Sequence, residues 1–196
     1  MNWGMSMRKV IGILLMVAVI GVAIFSWKGK FAEKSPSQEK STVAKRQKDA
    51  LEKIKAIDQK ITESYPSKPE ELVELHNELM SICYREPLDD EAITQYVKTI
   101  RRIYSTKFNE LNPEENQISQ IKKERETMAG EQMQLVANET SKVYVAKDAQ
   151  GEAVSAEVNV IHATDKGSLQ RTYLLNKEDG LWKINGWENT NAAPEQ

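Results

Sequence analysis

The feature that most constrains this chain is an uncharged stretch near its start. From Val10 to Trp27 there are 18 residues without a formal charge, and Ser26 carries the only polar side chain among them. As an α-helix this stretch would be about 27 Å long, close to the thickness of the hydrocarbon core of a bilayer. We therefore predict a transmembrane helix over residues 10–27 after a short tail over residues 1–9. The cations that flank it are Arg8, Lys9, Lys28 and Lys30.

A cleaved signal peptide is the alternative to a membrane anchor. Gly21, Val22 and Ala23 form a triplet of the kind that signal peptidases cleave, but the apolar run continues beyond it. A short tail followed by a long C-terminal domain is typical of a signal anchor. The sequence thus predicts a single-pass protein of the cell membrane, with residues 10–27 in contact with the lipid bilayer and the domain outside the cytoplasm.

A linker and a helix follow the apolar stretch. The segment EKSPSQEKST is polar and contains a proline, so we expect a flexible linker over residues 28–41. A stalk helix is expected over residues 42–64. Its apolar face recurs in steps of four and three, as in a coiled-coil seam, but spans fewer than three heptads. The helix therefore either packs against its own domain or self-associates through residues 43–61. The seam consists of Val43, Gln47, Ala50, Ile54, Ile57 and Ile61.

Three further helices are predicted at the start of the domain over residues 65–188. Ser67 and Glu70 have the spacing of a capping box, and Pro87 closes the helix that follows them. Asp89 or Asp90 caps the next helix, and Asn112 the one after it. The first two carry broad apolar faces, whereas the face of the last is thin, so we expect that helix to be the more exposed.

After Gly130 the apolar period changes from that of a helix to that of a strand. Asp179 and Gly180 form a tight hairpin pair, which places Trp182 in the core and Lys183 on the solvent face. The sequence thus predicts an α+β fold in which three helices pack on an antiparallel sheet, followed by a disordered tail over residues 189–196. The predicted strands are Gln132–Ala137, Lys142–Lys147, Ala153–Thr164, Ser168–Asn176 and Leu181–Trp187.

The charge distribution limits the classes of partner. Residues 31–64 carry a net charge of +2, whereas residues 65–196 contain 15 Lys/Arg and 23 Asp/Glu residues, a net charge of −8. An acidic domain without a basic stripe is a poor nucleic-acid binder, so no nucleic acid is expected as a partner. An anionic membrane surface would also repel such a domain.

The order of elements from Tyr65 to Glu188, with the hairpin LLNKEDGLWKINGWE, resembles the cone-shaped α+β fold of the nuclear-transport-factor-2-like (NTF2-like) superfamily. The resemblance implies a curved sheet wrapped around the N-terminal helices. The segment SYPSKPEELVELHNELMSICYREPLDDEAI, together with that hairpin, is similar to an uncharacterised family of membrane-anchored proteins of Gram-positive clostridia, a domain of unknown function. This second resemblance implies no activity.

Few residues are candidates for chemistry. His162 shares a strand face with Val158 and Val160, which would place it at the edge of a pocket as a general acid or base. A rim histidine bonded to a carbonyl or to water is the alternative, because no partner is identifiable. His76 and Cys83 lie on apolar helix faces and are expected to be buried. No metal-ligand spacing and no cofactor motif is present, so neither a metal nor a cofactor is predicted.

Three functions fit this sequence. The first is a non-enzymatic, membrane-anchored protein that presents an acidic α+β domain to a ligand or protein partner at the cell envelope. The second is an NTF2-like pocket enzyme in which His162 is the acid or base. The third is a structural subunit that dimerises through the stalk helix. The absence of a catalytic constellation favours the first.

Overall fold

The computed structural model describes residues 36–190, with side chains from residue 41 onward. Within this part of the chain there are five helices followed by one antiparallel sheet, whose four strands lie in chain order, β1-β2-β3-β4. The helices are α1 (Pro36–Glu63), α2 (Pro69–Arg85), α3 (Asp90–Arg101), α4 (Thr106–Leu111) and α5 (Glu114–Gly130). The strands are β1 (Leu135–Lys147), β2 (Ala153–Thr164), β3 (Gly167–Glu178) and β4 (Leu181–Thr190).

Short polar side chains cap the N-termini of two helices, α3 and α4. The Asp89 carboxylate accepts a hydrogen bond from the backbone N–H of Ala92 at 2.9 Å, which confirms one of the two caps predicted for α3. The Ser105 hydroxyl accepts from the backbone N–H of Phe108 in the same way and starts α4, a helix that is absent from the sequence-based prediction. Helix α5 has no buried residue, in agreement with its thin apolar face.

The final hairpin forms as predicted. Asp179 and Gly180 both adopt positive φ, at 51° and 80°, which is the conformation of a tight hairpin turn. The turn fixes the register of β4, so Trp182 and Ile184 point to the helix side of the sheet and are 4% and 0% exposed. The predicted strands Gln132–Ala137 and Lys142–Lys147 are joined in a single strand, β1, which starts at Leu135 and has an irregularity in its pairing between Thr140 and Lys142.

Helix α1 is part of the domain core. Arg102, next to the C-terminus of α3, pairs with Asp58 of α1 at 2.8 Å. The apolar positions of α1 pack into the same cluster as the apolar face of α2 and the helix side of the sheet. A helix with a buried apolar face contributes to the folding free energy of the domain and cannot act as a detached stalk. The buried positions of α1 are Ala50, Ile54, Ile57 and Ile61.

The predicted architecture of a transmembrane helix, a stalk and three sheet-packed helices is therefore wrong. Residues 36–190 form five helices, the stalk is a core helix, and α4 is additional. None of the helices in this range combines the length and the apolar character needed to cross a bilayer. The segments predicted as a tail and a transmembrane helix, at residues 1–9 and 10–27, lie outside the described residues.

The two edges of the sheet differ. Beside β4, Ile103 and Ser105 exchange backbone hydrogen bonds with Ile184 at 2.9 Å each, so the α3–α4 connection covers part of this edge. No described segment pairs with the outer edge of β1. The sheet therefore has one partly covered edge and one open edge, and the open edge lies beside α2.

Candidate functional site

His162 lies inside the domain in a network of neutral side chains. Its Nδ1 is 2.6 Å from Asn138 Oδ1, which can only accept, so Nδ1 carries the proton and Nε2 is an acceptor. The Tyr173 hydroxyl, 3.2 Å from Nε2, is the matching donor. The Asn138 amide is oriented by α2, because its Nδ2 donates to Asn77 O and to Ser81 Oγ. The tautomer of His162 is thus set by the contact between α2 and β1.

Burial keeps both histidines of the domain neutral. His162 is 4% exposed, and burial, with a smaller effect of Arg171, lowers its pKa to about 3. His76, from α2, is 2% exposed and lies 3.1 Å from the Tyr104 hydroxyl. Burial, followed by the effects of His162 and Arg171, lowers the pKa of His76 to about 3 as well. At neutral pH both imidazoles are therefore uncharged.

Arg171 of β3 is the one charged side chain in this interior among the described residues. It is 2% exposed, and its Nε donates to Asn189 Oδ1 at 3.2 Å. Its guanidinium carbon lies 5.7 Å from the centre of the Trp187 ring, within the range of a cation–π contact. No carboxylate within residues 41–190 lies at ion-pair distance from it. Its positive charge therefore disfavours protonation of the neighbouring histidines.

His162, which the sequence predicts at the edge of a pocket, lies in the core. It does not line the groove described below, and no carboxylate hydrogen-bonds to it among the described residues. Cys83 is also buried, and burial raises the pKa of its thiol to about 12, so it is not a thiolate at neutral pH. The role of His162 as an acid or base stays a prediction.

A surface groove lies directly outside this network, between α2 and β1. It encloses about 440 Å³ and is open along one side to solvent. Asn77, Ser81 and Asn138 lie on its inner side, where Asn138 connects the groove to His162. The Oδ1 atom of Asn77 is buried without a hydrogen-bond partner among the described residues. The charged residues that line the groove are Glu74, Glu78, Arg85 and Glu139.

The carboxylates of this groove are unpaired. Neither Glu74 nor Glu78 of α2, nor Glu139 of β1, forms an ion pair or a side-chain hydrogen bond within residues 41–190. By contrast, Glu86 at the end of the same helix pairs with Arg46 at 3.0 Å and with Lys53 at 3.8 Å. The groove therefore has an excess of two negative charges, since Arg85 is its only lining cation.

Sequence reasoning missed the groove. Glu74 and Glu78 are four residues apart on a helix, a spacing that puts both on one face, but such a pair usually marks a solvated surface. Glu139 lines the same groove only because of the strand register. Its neighbour Asn138 pairs with His162 and donates a hydrogen bond to Asn77 of α2, which holds this part of β1 against α2. No pattern in the sequence indicates which strand lies next to this helix.

A family model described as a domain of unknown function, DUF6715, matches residues 1–187. The chain belongs to this family. The matched range includes the groove and the His162 network, while Asn189 lies just beyond it. No curated protein matches the chain. The predicted family resemblance is thus confirmed as an uncharacterised domain-of-unknown-function family, whereas neither the clostridial origin nor the NTF2-like fold is confirmed by this match.

Proposed function

We propose that this chain is a non-enzymatic interaction protein of the cell envelope, and that its groove between α2 and β1 binds a basic segment of a partner protein. The observation that carries this proposal is the set of three unpaired carboxylates, Glu74, Glu78 and Glu139, around one concave surface. A concave surface lined by one sign of charge attracts ligands of the opposite sign. Lysine and arginine side chains are the protein groups that would complement it.

The interior of the domain supports binding over catalysis. A general acid or base works best with a pKa near the operating pH, whereas both histidines have a pKa of about 3. The His162 network instead fixes Asn138, which connects β1 to α2 through Ser81. This network holds the two walls of the groove in one position, and a rigid groove loses less entropy on binding.

Contact with a lipid bilayer through residues 10–27, and an extracytoplasmic position of the domain, belong to the same proposal. They rest on the uncharged run and on the short tail before it. A basic partner segment would then reach the groove outside the cytoplasm. Self-association through residues 43–61 remains an alternative partner mode, although four apolar residues of that range are already buried in the domain.

The test is photo-crosslinking of the full chain in its native cells. A photoreactive residue in place of Thr140, in the groove, should form adducts whose crosslinked peptides contain lysine or arginine. The same residue in place of Lys98, exposed on α3, is the matched control and should not form these adducts. Protease added to intact protoplasts should digest the adducts, because the proposal places the domain outside the cytoplasm.

Removing the negative charges of the groove tests whether formation of the crosslinked adducts depends on its carboxylates. Replacing Glu74, Glu78 and Glu139 together by glutamine should lower the adduct yield about tenfold, the combined value of three exposed ion pairs. Replacing Glu110, Glu114 and Glu115, at the α4–α5 junction, by glutamine is the control of equal charge. Unchanged adducts with the first set, or the same adducts from position 98, would contradict the proposal.

A further inference from the structure

The second half of β1 carries an unusual surface. Val143, Tyr144 and Val145 follow one another and are 39%, 55% and 44% exposed. They lie on the open edge of the sheet, and no residue from Ser141 to Lys147 is buried on either face. Three consecutive exposed apolar residues on a free edge are a liability unless they have a function. This part of β1 therefore needs a partner to account for it.

The pairing register defines how long that partner can be. Lys142 to Ala146 pair without a break with Asn159 to Ser155 of β2. Shifts in the pairing lie on either side, between Thr140 and Lys142 and between Ala146 and Lys147. Such irregularities interrupt strand addition, so the edge offers one regular stretch of five residues with Tyr144 at its centre.

We propose that a second copy of this chain occupies this edge through its own β1, in antiparallel orientation, with the two-fold axis at Tyr144. In this register Tyr144 lies opposite Tyr144, and Val143 lies opposite Val145. Lys142 lies opposite Ala146, so no lysine faces another. All five residues stay within the regular stretch, and the same patch serves both copies, as a two-fold interface requires.

The side chains that share each face of the sheet are compatible with this pairing. Val143 and Val145 pair with Val158 and Ala156 of β2, whose side chains point to the helix side of the sheet. Across the axis they would form one cluster of four valines. Tyr144 pairs with Glu157 and lies on the opposite face, where the two tyrosines would come into cross-strand contact. Neighbouring apolar and aromatic pairs of this kind stabilise antiparallel strands.

Nothing in the described part of the molecule obstructs the approach of a second sheet. The helices leave Lys142–Ala146 exposed on both faces, and the α2–β1 groove lies along the other half of the strand, at residues 137–140. Residues 65–196 carry a net charge of −8, so two copies of the domain repel each other at long range, and at physiological ionic strength this repulsion is screened beyond about 8 Å. Because five paired residues make a small interface, we expect a Kd of about micromolar or weaker.

Disulfide trapping of the full chain in detergent tests the register. Tyr144→Cys should give a disulfide dimer as the main product of mild oxidation, because the two positions are directly opposite. Val143→Cys and Val145→Cys should each give little dimer alone but crosslink to one another when the two variants are mixed. Native Cys83 can stay in place, since it is buried. Leu181→Cys, exposed to 43% in β4, is the matched control.

Some outcomes of the disulfide trapping would contradict the proposed β1–β1 pairing. Equal crosslinking at positions 143, 144 and 145, or none at 144, would overturn the proposed pairing. A dominant dimer from Val43→Cys would place self-association on α1 instead. Sedimentation provides a second measurement without cysteine: the unsubstituted chain should dimerise with increasing concentration, whereas Val145→Lys should stay monomeric and melt like the unsubstituted chain. Equal masses for the two chains would also overturn the proposal.

Discussion

Two adjacent residues of the last hairpin show how contacts set the effect of a substitution. Trp182 is 4% exposed, and its backbone carbonyl accepts a hydrogen bond from the Tyr65 hydroxyl at 2.7 Å. Lys183 points to the other side of the strand, as predicted, but it is not a free surface residue. Its Nζ donates to the carbonyl of Arg102 at 2.6 Å and lies 4.7 Å from the centre of the Tyr65 ring.

We therefore expect both substitutions to destabilise the domain, by different amounts. Trp182→Ala should lower the free energy of unfolding by about 3–5 kcal/mol, as truncation of a buried aromatic side chain usually does. Lys183→Ala should lower it by about 1–2 kcal/mol, since a charged hydrogen bond and a cation–π contact are lost. Urea melts measure both values.

Lys142→Ala is the control for the lysine, because Lys142 is exposed and its side chain forms no hydrogen bond, ion pair or ring contact within residues 41–190. It should change the stability of the monomer by less than about 0.5 kcal/mol. A Lys183→Ala variant that melts like Lys142→Ala would show that the contacts of Lys183 contribute nothing.

At the scale of elements, α1 differs most from the expectation. The step pattern of its apolar residues fits both a free coiled coil and a helix packed on its own domain, because both bury one narrow face. In the structure α1 packs on its own domain, since Ile54 is 0% exposed and lies in the same cluster as the apolar face of α2. Helix α1 thus completes the core.

A core helix and a stalk respond differently to truncation of this face. Ile54→Ala should lower the free energy of unfolding by about 2–5 kcal/mol, the usual cost of a cavity at a fully buried position. Val43→Ala is the control on the same helix, because Val43 is 38% exposed, and it should have almost no effect. Equal melts for the two variants would mean that α1 does not pack on the domain in solution.

At the scale of the whole molecule, the buried histidines make folding sensitive to acid. Both have a pKa of about 3 in the folded chain, against 6.5 for an ordinary imidazole. The unfolded chain therefore binds two protons near pH 6.5 that the folded chain binds only near pH 3. The free energy of unfolding is unaffected by these groups above about pH 6.5 and decreases as the pH falls below it.

Between pH 7 and pH 5 we expect a loss of about 2 kcal/mol for each histidine. This window lies above the ordinary pKa of carboxyl groups, so it isolates the histidines. His162→Gln is the matched variant, because a carboxamide can donate to Asn138 and accept from Tyr173 without titrating. It should show about half of the pH dependence in urea melts. A wild-type stability that is constant over this range would contradict the buried, neutral state of both residues.

Local patterns in the sequence were enough to predict much of the fold. The α+β order of elements, the Asp89 cap, the Asp179-Gly180 turn and the burial of Trp182 depend on residues that are close in the chain. Capping, turn conformation and strand alternation act over a few residues, so they can be read without the tertiary structure. The uncharged run over residues 10–27 is equally local, and its membrane contact stays a prediction.

Only the tertiary structure decided which faces meet. It placed α1 in the core, joined two predicted strands into β1, and put α2 beside that strand, so that Glu74, Glu78 and Glu139 surround one groove. It also showed that His162, which was expected at the rim of a pocket, is buried in the interior and contacts Asn138 there. These outcomes depend on contacts between residues far apart in the chain, and such contacts are selected by packing and burial, which periodicity within one segment does not specify.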